Sequence, residues 1–286
     1  MESLSRKLVI AVLLALLLPM TTAGHAANLQ GQQTLFAQSS RALLQRDFSD
    51  PNISYLLVDA ATGERIANHW DDAEKPVPVG SLVKPFAALA YAQHHESFPH
   101  FVCRGTADRC WLPRGHGELS LSSAIAQSCN AYFRRLSRQL PREDIDEIIS
   151  RYGAGELQAT APLNSYYGME DAWKMSANQV VVAFRRVATS QDRGAAEVRQ
   201  GMLLSAKEGT ARVVSRSVHG GALAKTGTAP CSHKVKAQGD GFVVVMFPAD
   251  SPRNILLVRI HGSTGAKSAE VASKMLALIG DQPNAH

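Results

Sequence analysis

The sequence predicts an α+β fold: an antiparallel sheet built from both chain ends with flanking helices, plus a mostly helical lobe. Three observations lead there. Apolar runs of strand character lie at 53–58 and 64–69 towards one end and at 222–228, 241–247 and 255–260 towards the other. Between them, helical periodicity runs through 82–93, 121–139, 143–151 and 176–189. The 286 residues are 45% hydrophobic and only 19% charged, enough apolar side chain for a sizeable core, which excludes disordered and collagen-like chains.

Taken in order, Arg6 and Lys7 precede an uncharged run from Leu8 to Met20, and the small residues of 21–26 follow. That is the order of a secretory signal, with the cut expected after Ala26. The run falls short of the roughly 20 apolar residues that cross a bilayer. Residues 1–26 are therefore expected to be a signal peptide and 27–286 an exported domain, periplasmic or extracellular, membrane-associated only where the signal is retained. Leu35, Phe36, Ala42, Leu43 and Leu44 share a helical spacing within 32–46, and Asp59 to Gly63 forms a turn between the first two strands. Ser176 is placed to cap a helix, and Gly153 and Gly155 to end one. Ser268 to Ile279 closes the chain with a helix. The helical lobe, approximately 95–205, is inserted in the α/β lobe, and the active site is expected between them.

The net charge of +5 is spread along the chain, with no dense basic block interleaved with aromatics, so no nucleic-acid partner is expected. No phosphate loop, dinucleotide fingerprint or zinc-protease motif occurs, and neither cofactor nor metal is expected. Cys103 and Cys110 bracket a short polar loop, and in an oxidising compartment they are expected to form a disulfide. Cys129 and Cys231 could form a second bridge, although four cysteines allow three connectivities. A zinc site using His116 is the sharper alternative. The spacing of Cys103, Cys110 and His116 matches no common structural zinc pattern, so His116, between two glycines, reads as a loop residue.

Catalytic chemistry starts at Ser81-Leu82-Val83-Lys84. A serine three residues ahead of a lysine in the first turn of a helix shares a face with it, so a lysine amine with a lowered pKa can take the hydroxyl proton. One such match means little, because roughly one is expected by chance in a chain this long. Two further motifs, Ser128-Cys129-Asn130 after a helical segment and Lys225-Thr226-Gly227-Thr228 on a strand, follow in order.

With these three motifs the sequence resembles the penicillin-recognising serine acyltransferases: penicillin-binding transpeptidases, D,D-carboxypeptidases and serine β-lactamases. Gly115 to Leu121, Ala131-Tyr132-Phe133, Gly209-Thr210-Ala211 and Ala229 extend the likeness over roughly 53–280. The resemblance implies that Ser81 attacks a D-alanyl-D-alanine peptide bond or a β-lactam, with Lys84 as proton acceptor and Ser128 as relay to the leaving nitrogen. It implies that Asn130 holds the substrate amide, that Lys225 supplies charge, and that Thr226 and Thr228 receive the carboxylate. Gly227 would let the substrate backbone lie against the strand. The implied partners are peptidoglycan stem peptides and β-lactams, as substrates or covalent inhibitors, with cell-wall assembly proteins as further possible partners.

Departures from pattern separate the members. Glu156 stands too far from Leu163-Asn164 for the glutamate loop of a class A β-lactamase. Trp173 to Val180 resembles both a class D β-lactamase and a transpeptidase, but class D usually has an apolar residue where Asn130 stands. The aromatic pair and glycine common on the next strand of the family are replaced by Asp240 to Phe247. A lone transpeptidase-like domain is the favoured reading, class D β-lactamase the alternative, and a non-catalytic wall-binding or β-lactam-sensing domain the second. The basic loop Cys231 to Lys236, close to the third motif, reads as a solvated turn rather than as an attraction for an anionic substrate.

Overall fold

The computed structural model describes residues 31, 33–231 and 239–280; the signal segment 1–26 and residues 232–236 of the basic loop lie outside them. The expected α+β architecture is present. Helix α1 (33–47) leads into strands β1 (Ile53–Asp59), β2 (Arg65–His69) and β3 (Val77–Pro78), and α2 (Lys84–His94) follows a tight turn at Gly80–Val83. Then come β4 (Phe101–Cys103), β5 (Gly117–Leu119), α3 (Leu121–Ala126), α4 (Asn130–Ser137), α5 (Arg142–Tyr152), β6 (Glu156–Leu157), β7 (Trp173–Met175), α6 (Ala177–Thr189) and α7 (Ala195–Lys207). Strands β8 (Leu223–Ala229), β9 (Asp240–Phe247) and β10 (Asn254–Ile260) and helix α8 (Gly265–Gly280) complete the described chain.

The main sheet has the order β2-β1-β10-β9-β8 and antiparallel pairing throughout, so strands from both chain ends do share one sheet. Both its faces are buried. Leu56, Val58, Val244, Met246, Ile255 and Leu257 pack against the helical part, while Tyr55, Leu57, Val243, Val245, Leu256 and Val258 pack beneath α8. A sheet covered on both sides needs continuous apolar runs, which is why these strands show little polar alternation.

The period of two also aims the site. Lys225 pairs with Val244 and points to the helical side, whereas Thr226 pairs with Val243 on the α8 side. Strand β8 lies at the sheet edge, which leaves one side of its backbone without a partner strand among the described residues.

Helix signals hold where caps are local. Ser176 and Gln179 form a reciprocal capping box, and Gly153 ends α5 in a left-handed conformation. Helix α7 escapes the sequence reading because Gly201 interrupts its pattern. A Cβ there would stand 2.7 Å from the Ile125 Cβ, so the glycine serves the close approach of α7 to α3.

The helical run expected over 121–139 is broken. Ser128 takes φ +50, its N–H bonds Ile125 O at 3.1 Å, and the Cys129 N–H bonds Ala124 O at 2.9 Å. This pair of bonds is a Schellman motif with serine where glycine is usual, a strain of about 1–3 kcal/mol.

The expected Cys103–Cys110 disulfide is also corrected. All four cysteines carry free thiols. The β4–β5 pairing and the turn at Gly105–Asp108 bring both sulfurs onto one ring nitrogen, His116 Nδ1, at 3.5 and 3.6 Å. The Cys110 and Cys129 sulfurs are 3.8 Å apart, against about 2.05 Å for a bonded pair.

Candidate active site

The turn carrying Ser81 lies directly on β8 because glycines remove the side chains between them. Gly80 has φ +55, and a Cβ on it would stand 2.2 Å from the Thr228 carbonyl oxygen. A Cβ on Gly227 would stand 2.4 Å from the Val79 carbonyl oxygen, and one on Gly168 2.1 Å from that of Gly80. No larger residue fits without moving backbone. The bare face of Gly227 is therefore occupied by the protein's own Val79 and Leu82, and the free edge of β8 is what remains for a substrate backbone. Ser81 is half-buried, and its hydroxyl has no hydrogen-bond partner among the described residues.

One turn on, Lys84 is wholly buried at the start of α2. Its ammonium donates to Asn130 Oδ1 at 2.6 Å, Ser128 O at 2.8 Å and, at a longer 3.4 Å, Ser128 Oγ. Burial pulls its pKa down to about 7, partly offset by the nearby Cys129 and Cys110 sulfurs. Lys225, also wholly buried, donates to Ser128 Oγ at 2.9 Å and to Thr226 O at 2.7 Å. Its pKa too is held well below that of a free lysine, first by burial and then by the charge of Lys84. The Ser128 hydroxyl thus stands between two buried amines. Neither has a carboxylate partner among the described residues, so no carboxylate there offsets the burial that favours the neutral amine of each.

The threonines divide. Thr226 is 5% exposed and donates from Oγ1 to Thr210 Oγ1 at 2.7 Å, away from the sheet face that carries Lys225. Thr228 is exposed, and its Oγ1 accepts the Gly265 N–H at 2.9 Å, which orients the hydroxyl. Lys84, Ser128, Asn130 and Lys225 form one hydrogen-bonded group, Ser81 lies on the turn leading into it, and Thr226, Gly227 and Thr228 line the adjoining strand. What sequence reasoning missed is Thr210, Gly168 and Gly265, which act through the residues they hold. The Gly209-Thr210-Ala211 resemblance was the one available signal for Thr210. Cys129, between Ser128 and Asn130, is wholly buried beside Cys110 and His116.

Residues 53–277 match the family model described as the penicillin binding protein transpeptidase domain. The fold is similar to that of Pseudomonas aeruginosa PBP2 in complex with WCK 5153, with TM-score 0.68 and 18% identity over 84% of this chain and 73% of that one. It is similar also to Helicobacter pylori PBP2, with TM-score 0.71 and 17% identity over 85% of this chain and 62% of that one. The same Helicobacter protein solved with MreC matches with TM-score 0.70 and 17% identity, over 86% and 62%. The chain therefore spans less than two thirds of the length of the Helicobacter chains. No curated protein sequence matches.

Proposed function

The chain belongs to the penicillin-binding protein transpeptidase family, and from that premise we propose that it is a D,D-acyltransferase working through an acyl-enzyme on Ser81. One observation carries the proposal: the Ser128 hydroxyl is bridged between the buried amines of Lys84 and Lys225, beside the turn that presents Ser81.

In its neutral form Lys84 takes the Ser81 proton as Ser81 Oγ bonds to the penultimate D-alanine carbonyl carbon. The developing oxyanion is held by the Ser81 and Thr228 N–H groups, each such donor being worth about 2.7–4 kcal/mol. As the tetrahedral adduct collapses, the C–N bond breaks and the nitrogen takes a proton from Ser128, which recovers one from a lysine. D-Alanine departs. An amine of a second stem peptide then attacks the ester, giving a new amide and returning the proton to Ser81; water in its place makes the reaction a carboxypeptidase. Asn130 and the β8 edge orient the stem peptide, and Lys225 with Thr228 draws its carboxylate.

A class D β-lactamase would need its lysine carbamylated in apolar surroundings. Lys84 instead lies among the oxygens of Asn130 and Ser128, which favours the acyltransferase. The n, h and c pattern of 1–26 supports export to the wall side of the membrane. One similar structure is a complex of Helicobacter PBP2 with MreC, which supports looking for a partner of that kind.

Intact-protein mass after mixing with a penicillin tests the reading. The expected result is an adduct of one drug mass that persists for hours and is absent from Ser81→Ala. A fleeting adduct with steady loss of drug would make the protein a β-lactamase, and no adduct on folded protein would make it a non-catalytic domain.

A further inference from the structure

The second motif is anchored by a group of side chains that the acyl-transfer chemistry does not use. Cys103, Cys110, Cys129 and His116 offer three sulfurs and one ring nitrogen, all within 4.8 Å of one another. The three cysteines are buried. We propose that these four residues bind one zinc ion, a structural centre that ties the 101–119 hairpin to the second motif.

Three of the six donor–donor distances match tetrahedral edges, and all six are within 4.8 Å. With Zn–S about 2.3 Å and Zn–N about 2.0–2.1 Å, tetrahedral edges are about 3.8 Å between sulfurs and about 3.6 Å from sulfur to nitrogen. Cys110 Sγ and Cys129 Sγ are 3.8 Å apart, and His116 Nδ1 is 3.5 Å from Cys103 Sγ and 3.6 Å from Cys110 Sγ. A disulfide would need the sulfurs at about half that separation. Three cysteines with one histidine is a closed structural zinc donor set, with no position for substrate or water. The interval from Cys103 to Cys110 is longer than in common zinc patterns, and Cys129 comes from a different element, which is why spacing did not announce the site.

Neighbouring residues hold the donors in place. Asp108, 8% exposed, accepts the Arg104 N–H at 2.8 Å and the Arg135 guanidinium at 3.2 Å, closing the loop between Cys103 and Cys110. Positive φ at Gly105 and Gly115 lets the two arms of the hairpin cross, since a Cβ on either would stand 2.0–2.2 Å from an opposing carbonyl oxygen. Trp111 packs edge-on against His116 at 5.3 Å and donates from Nε1 to Gln127 O at 3.2 Å, reaching the turn that holds Ser128. Such a prebuilt cradle fits a metal ligand set.

Binding releases the thiol protons to solvent, and Zn²⁺ with three thiolates and a neutral imidazole sums to −1. That charge falls beside Cys129, whose neighbours Ser128 and Asn130 both accept from Lys84. The centre positions the second motif and touches no substrate.

The test is metal analysis of the full chain purified with zinc under reducing conditions. About one zinc per chain is expected, with cobalt replacing it to give the visible bands of a tetrahedral site and thiolate-to-cobalt charge transfer. Cys103→Ser and His116→Ala should lose the metal, whereas His116→Cys, with four donors retained, should keep it. Chelation should lower Tm and slow penicillin acylation of the wild-type chain. Folded wild-type protein with no bound metal and four titratable thiols would overturn the proposal, as would metal retained by Cys103→Ser and His116→Ala alike. A chain two hydrogens lighter with a Cys110–Cys129 cross-link would overturn it too, in favour of a redox pair. The wild-type metal content is read without catalysis, so these outcomes are independent of whether Ser81 is acylated.

Discussion

The turn that carries Ser81 and the turn that carries Ser128 reach the same site by opposite means. The first is held by side chains that are missing: Gly80, Gly227 and Gly168 let three backbone segments touch. The second is held by side chains that are present, the lysine amines on one side and the sulfur and imidazole group on the other. Backbone contact has no ionisable part, so the first turn should answer to steric change alone. The second should answer to pH, metal and oxidation as well. The proposed nucleophile is thus fixed by shape, and the proposed proton path by chemistry that solution conditions can reach.

The largest expected effect breaks the chemical half. Lys84→Met should lower the rate of penicillin acylation by about 10²–10⁴-fold, the usual worth of a positioned proton acceptor, with secondary structure unchanged by circular dichroism. Stopped-flow labelling with a fluorescent penicillin reads it, and a loss under tenfold would remove Lys84 from the proton path.

Gly80→Ala breaks the steric half. Its Cβ would meet the Thr228 carbonyl oxygen at 2.2 Å with φ +55, so Tm should fall, by about 1–3 kcal/mol of stability from the backbone strain alone. Acylation should fall with it at every pH, in contrast to the next case. An unchanged Tm would mean that the two backbones can part freely.

The pH profile sharpens the contrast. In the proposed mechanism neutral Lys84 is the proton acceptor, and burial pulls its pKa down to about 7. Acylation of the wild-type chain should therefore rise as pH increases through about 7 and level off above it. Gly80→Ala should keep that profile at a lower plateau. A wild-type rate that falls through this range would require a charged Lys84 in the reacting state.

The smallest effect separates strain from hydrogen bonding at Ser128. Ser128→Ala and Ser128→Gly both lose the hydroxyl that bridges the lysines, but only glycine relaxes at φ +50. The glycine chain should be more stable than the alanine chain by about 1 kcal/mol, read by urea titration. Equal stabilities would show that the left-handed turn carries no strain.

Legibility follows the same division. The strands from both ends, the capping box at Ser176 and Gln179 and the stop at Gly153 could be read because their causes are local. The triplet around Ser81, Ser128 and Lys225 could be read because its spacing resembles a family. The break inside 121–139 could not, since a serine in a left-handed turn carries no glycine signal. Helix α7 was hidden by Gly201, whose purpose is contact with α3 rather than propensity.

By itself, the sequence determined which segments from both ends share the sheet, most of the helices and the order of the three motifs, because hydrophobic period and motif order are properties of the chain. Only the tertiary structure decided what surrounds them. Gly227 receives the Val79 carbonyl, Thr226 bonds Thr210, and Cys103, Cys110, His116 and Cys129 meet around one point instead of pairing as a disulfide. Each depends on segments distant in sequence brought within a few ångströms, and packing sets such distances where local periodicity does not.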